Sequence, residues 1–102
     1  MAENKLKPLL VVEDNPGLQK QLKWAFEGYK VYLASDRETA MEQLAKSAAP
    51  VVTLDLGLPP DPANASEGLE ALSSILQKAP HTKVIVVTGN DDRHNALKAV
   101  SM

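Results

Sequence analysis

VVTLDLGLPP, residues 51–60, runs through four β-branched or aliphatic residues, then an aspartate, then a loop of glycine and proline. A continuous apolar run of strand length suits a strand covered on both faces, as in a parallel sheet. Asp55 stands where that strand gives out. In open α/β sheets the ligand crevice lies beyond the carboxyl ends of the strands, so an acid at that edge is placed for solvent and ligand rather than for the core.

The segments on either side repeat the pattern. Pro8 to Val12 is a second short apolar run, stopped at once by Glu13, Asp14 and Asn15. Asn15-Pro16 is a helix start, because Asn caps well and Pro at the first helical position loses nothing by lacking an N–H. Leu18, Leu22, Ala25 and Phe26 follow at helical spacing, which turns one stripe toward a core until Gly28. Trp24 lies outside that stripe, and a cover for the rim of the sheet is its simplest role. Tyr29–Ala34 reads as a strand. Ser35 or Asp36 caps a helix whose buried face is Ala40, Met41, Leu44 and Ala48. Beyond residue 60, Ser66 caps a helix bearing Leu69, Leu72, Ile75 and Leu76, and Lys83–Val87 is a strand ending in Thr88-Gly89. Asn90 or Asp91 caps a last helix with Ala96, Leu97 and Val100. Strands alternating with helices signify βαβ crossovers: a doubly wound α/β sheet, parallel, with helices on both faces.

Composition narrows the classes of function. The 102 residues suffice for one domain, and 11 basic against 13 acidic side chains leave a net charge of −2 with no basic stripe for nucleic acid. No cysteine is present, which excludes disulfides and thiolate metal sites and fits a cytoplasmic protein. The apolar runs are far shorter than the ~20 residues of a membrane helix, so no membrane role is expected. His81 and His94 are isolated and read as surface residues.

Three polar clusters therefore follow apolar strands: Glu13-Asp14, Asp55 and Thr88. If the first and third strands are neighbours, their ends lie ~4.8 Å apart and three carboxylates converge. Like charges that close need a counter-charge, and a hard cation with oxygen ligands, Mg²⁺ above all, is the natural one. A carboxylate beside Mg²⁺ can accept a phosphoryl group, because the metal screens the repulsion between two anions.

VVEDNPG, VVTLDLGLP and VIVVTG, in this order and spacing, resemble the receiver domain of two-component response regulators over essentially the whole chain. EDNPGLQKQLKWAF with the long PPDPANASEG loop further resembles sigma-54 activator-type regulators found with exosortase systems. The resemblance implies a flavodoxin-like sheet in the order 2-1-3-4-5. It makes Asp55 the phosphoacceptor, Asp14 a direct Mg²⁺ ligand with Glu13 beside it, and the Gly57 backbone carbonyl a further ligand. Thr88 becomes the switch hydroxyl, and Gly89 the small residue that leaves the phosphate room. The implied partners are a histidine kinase and an output domain, transcriptional in kind, in a phosphorelay; the domain is a switch more than an enzyme.

The chain also departs from the family. The family's fifth strand, with its Lys-Pro pair, and its fifth helix have no counterpart before Met102, so residues 1–102 read as a receiver domain incomplete at its C-terminus. The fourth strand would then expose an apolar edge, which predicts a homo-oligomer or an exchanged element. The loop from Pro59 to Gly68 is longer than the family's usual turn. A phosphorylation-independent interaction module is the alternative reading. A phosphatase of the haloacid dehalogenase type would want a second acid where Gly57 stands.

Overall fold

Four parallel strands in the order β2-β1-β3-β4 form the sheet of the computed structural model, which describes residues 6–59 and 65–87. The strands are β1 (Pro8–Val12), β2 (Lys30–Ala34), β3 (Val51–Leu54) and β4 (Lys83–Val86); the helices are α1 (Pro16–Ala25), α2 (Arg37–Ser47) and α3 (Ser66–Lys78). The expected doubly wound sheet is thus present, and no fifth strand occurs among the described residues. Thr88, Gly89 and the helix expected near residues 90–100 lie outside them, as do residues 60–64 of the proline loop.

The chain reverses direction across the sheet after β2. Right-handed crossovers therefore put α1 on one face and α2 and α3 on the other. The main core lies on the second face, where Leu10, Val12, Val52 and Leu54 meet Ala40 and Leu44 of α2 and Ala71, Leu72 and Ile75 of α3. Side chains at every second strand position point to one face, so Leu9, Val11 and Thr53 are buried on the α1 side. The Thr53 hydroxyl there is buried with no hydrogen-bond partner.

Capping sets the helix starts. Asn15 accepts from the N–H groups of Gly17 and Leu18 (2.8 and 3.1 Å) and so caps α1 as expected. Asp36, rather than Ser35, caps α2. Its carboxylate accepts from the Thr39 N–H at 2.8 Å while the Thr39 hydroxyl accepts from the Asp36 N–H at 3.2 Å, a reciprocal box. Those bonds hold the Asp36 carboxyl below its usual range. Ala48 ends α2 in the left-handed conformation at φ 49° and is exposed, so Ser47 and Ala49 are buried in its place. In α3 the cap is Ala65, with no side-chain hydrogen bond, and Ser66 is already helical. The buried stripe there is Gly68, Ala71, Leu72 and Ile75, with Leu69 and Leu76 half-buried beside it.

The apolar stripe expected on α1 is not sunk in a core. No residue of α1 is buried, Leu18 is 44% exposed, and Leu22 and Phe26 are half-buried. Trp24 is 72% exposed and lines a groove with Tyr29 and Val31 at the β2 edge of the sheet. On β4 the alternation continues outward: Val84 and Val86 face the core while Ile85 and, just beyond the strand, Val87 are 54% and 38% exposed.

Candidate functional site

Register brings the acids together. Val12 of β1 pairs with Leu54 of β3, and the next residues along are Glu13 and Asp55. Both continue the ladder for one step: the Asp55 N–H donates to the Val12 carbonyl and the Glu13 N–H to the Ala34 carbonyl, each at 2.9 Å. Their positions are therefore as rigid as the sheet. Asp14 follows in the turn into α1. Oxygen atoms of Glu13, Asp14 and Asp55 all lie within 4.8 Å of one another, with Glu13 buried and the other two half-buried.

The loop after Asp55 keeps the strand's alternation although the strand has ended. Leu56 and Leu58 are fully buried, whereas Asp55, Gly57 and Pro59 stay partly exposed. Two leucine anchors thus turn the acid and Gly57 outward together. The Gly57 N–H donates to Asp55 Oδ1 at 3.1 Å, and the Leu58 N–H closes a tight turn on the Leu56 carbonyl, also at 3.1 Å. Gly57 is not a residue of special φ, since no glycine described has a positive φ.

Gly68, on the first turn of α3, is glycine for a steric reason. A Cβ there would stand 2.3 Å from both the Leu56 Cα and its carbonyl oxygen. The start of α3 is seated directly on the backbone that carries Asp55 and Gly57. A second tie joins α3 to α2 through Arg37 and Glu67, whose charged groups are 3.2 Å apart.

Three carboxylates gather negative charge at this edge of the sheet. Burial first, and the nearby Asp55 carboxylate after it, push the Glu13 carboxyl up to about 7, against the Asn15 N–H, which bonds Glu13 Oε2 at 3.1 Å and lowers it. A buried acid forced toward neutrality beside two further carboxylates is a site that a cation would relieve, and an all-oxygen donor set fits a hard divalent ion. The acids can hold such a metal.

The response regulator receiver domain model matches residues 9–102. The chain belongs to that family. Two solved relatives are a receiver domain protein from Clostridium thermocellum, 27% identical with a TM-score of 0.81 over 94% of this chain and 75% of that one, and a CheY-like receiver domain protein from Methanospirillum hungatei, 26% identical at 0.79 over 95% and 75%. The Mn²⁺-bound form of the response regulator Rcp1, 20% identical, shares the fold with a TM-score of 0.75 over 93% of this chain and 74% of that one. No curated protein matches the chain.

This receiver domain thus brings together Glu13, Asp14, Asp55 and the adjoining Gly57, four of the five site residues expected from the sequence, and the fifth, Thr88, lies outside the described residues. Sequence reasoning missed Gly68, on which the Asp55 loop rests, and Gln19, whose side-chain nitrogen donates to the Glu13 and Ala34 carbonyls and to the Ser35 hydroxyl. Gly68 was visible only as a glycine in the first turn of a helix, where it is a poor helix former. Gln19 left no signal, being one glutamine among several polar residues of α1.

Proposed function

We propose that this receiver domain, working in the cytoplasm, accepts a phosphoryl group on Asp55 from the phosphohistidine of a histidine kinase and passes the change of state to a transcriptional output domain. The observation that carries the proposal is the convergence of three carboxylates within 4.8 Å at the carboxyl ends of β1 and β3. Mg²⁺ is the ion we assign to them, with Asp14 and Asp55 as direct ligands, Glu13 beside them and the Gly57 carbonyl as a further ligand. When bound, such an ion neutralises charge between a carboxylate and a phosphoryl group and stabilises the transferring oxygens.

The chain's own residues then have separate roles. An Asp55 oxygen attacks phosphorus in line, so that a P–O bond forms as the P–N bond to the kinase imidazole breaks and the electron pair leaves with the imidazole. The Gly57 N–H, bonded to Oδ1, fixes the plane of the nucleophile. Glu13, buried and anchored by Asn15, keeps an acidic oxygen at the pocket floor. Thr88 serves as the switch hydroxyl that bonds the phosphoryl oxygen, with Gly89 leaving it room. We also assign the exposed Ile85 and Val87 to a contact that covers the β4 side of the sheet, through a second copy or an exchanged element.

Incubation of the protein with a small acyl phosphate and Mg²⁺ tests the reading through intact mass. One phosphoryl group is expected on the wild type and none on Asp55→Asn. An unchanged wild-type mass would leave the interaction-module reading in its place.

A further inference from the structure

Gln19 lies on α1, and its side-chain nitrogen faces three oxygens, one from the turn after β1 and two from the end of β2 and the loop that follows it. These are the main-chain carbonyl of Glu13 at 2.5 Å, the hydroxyl of Ser35 at 3.2 Å and the main-chain carbonyl of Ala34 at 3.4 Å. Two of the three are carbonyls, which only accept, so the amide must present its NH₂ group here. One hydrogen serves the Glu13 carbonyl. The other is shared between Ser35 and Ala34, and the Ala34 carbonyl already accepts the Glu13 N–H.

The acidic turn is consequently held from both sides by α1. Asn15 bonds Glu13 Oε2 through its N–H and caps the helix with its side chain. Gln19, one turn further on, holds the Glu13 carbonyl. That carbonyl belongs to the peptide unit whose other end is the Asp14 N–H, so fixing it fixes the direction in which the Asp14 side chain leaves the backbone. These polar bonds tie the first turns of α1 to the sheet edge.

We propose that Gln19 is a positioning residue for the acid cluster, orienting Glu13 and Asp14 for a divalent cation by clamping the peptide between them to the β2–α2 loop. Gln19 acts in this way only if the three acids hold a cation, the reading given above. It touches neither the cation nor the phosphoryl group. Groups that orient first-shell ligands typically change metal affinity by 10–100-fold when removed.

Mg²⁺ titrations of the full chain test the proposal, followed by the amide NMR shifts of Asp55 and Gly57 and by Mn²⁺ broadening of the same signals. Gln19→Leu removes the donors. Gln19→Glu removes them in the same shape while adding a negative charge, which by simple attraction would tighten cation binding. Both variants are expected to bind Mg²⁺ about 10-fold more weakly than wild type, Gln19→Glu in spite of its added charge. Unchanged affinity in Gln19→Leu with equal or tighter binding in Gln19→Glu would overturn the proposal, even if both lower the urea midpoint. Loss of fold in both by circular dichroism would overturn it too, by making Gln19 a residue of the fold rather than of the site. A wild type that shows no Mg²⁺ response would instead refute the cation reading and take the role of Gln19 with it.

Discussion

Gly68→Ala is the substitution for which the structure makes the sharpest claim about stability. The added Cβ would stand 2.3 Å from the Leu56 Cα and carbonyl oxygen and 2.6 Å from its carbonyl carbon. Carbon atoms rest about 3.5–4.0 Å apart, so the Leu56 backbone or the start of α3 must retreat by more than ~1 Å. Neither has room, since Leu56, Leu58, Ala71 and Ile75 are all fully buried. Overpacking of this kind costs about 1–3 kcal/mol. Against it stands the gain of alanine over glycine in a helix, about 1 kcal/mol in an interior and less in a first turn. The balance is a loss on the order of 1–2 kcal/mol. With a urea slope of about 1–3 kcal/mol/M for a small domain, the midpoint should fall by roughly 1 M. Gly28→Ala is the control, because nothing lies within 4 Å of its added Cβ; it should leave the midpoint unchanged or raise it. Gly68→Ala with a midpoint at or above wild type would refute the account of α3 as seated on the Asp55 loop.

Other outcomes follow from the charges and exposed surfaces. The Glu13 carboxyl is raised from 4.5 to about 7 in the folded chain, so it favours the fold fully below pH 4.5, and that contribution is lost as pH rises to about 7. The swing is at most about 3 kcal/mol; urea midpoints at pH 5 and 8 in a chelator should show it, and Glu13→Gln should flatten it and be the more stable protein at pH 8. Asp36 has the opposite sign. Its carboxyl is held low by Thr39, so its stabilisation is present above the usual carboxylate range and lost as pH falls through the lowered value. Asp36→Ala should cost about 1 kcal/mol of cap energy at neutral pH, and a melting temperature unchanged at pH 7 would contradict the capping box. Sedimentation of the chain should give a species larger than a monomer, and Ile85→Lys should return it toward one; a monomeric wild type would refute the covered β4 face.

Much of this architecture is legible in residues 8–15 and 51–58, because strand ends are marked by a change from apolar to acidic side chains and register follows once β1 and β3 are neighbours. Asn15-Pro16 declared its helix start for the same local reason, since both preferences act within one turn. What escaped reading depends on contacts between segments distant in sequence. Ser66 resembles a cap, yet Ala65 holds that position and Ser66 is the first residue of α3, with Gly68 packed on the distant Leu56 backbone. The stripe on α1 has helical spacing, but spacing says nothing of whether another element lies over it, and Leu18 and Ala25 are exposed. Leu56 and Leu58 looked like loop residues because of the glycine and prolines around them, and their burial comes from the space between β3 and α3. Gln19 is the extreme case: its three acceptors come from residues 13, 34 and 35, and nothing local marks it.

The central claim is that the nucleophile is Asp55 and that the acid cluster makes it one. Borohydride reduction after treatment with an acyl phosphate, followed by peptide mapping, locates an aspartyl phosphate directly, since the acyl phosphate is reduced to an alcohol at the residue that carried it. The account predicts reduction at position 55 in the presence of Mg²⁺, and none in its absence or in Asp14→Asn. Reduction at another aspartate, or at Asp55 equally with and without Mg²⁺, would contradict it.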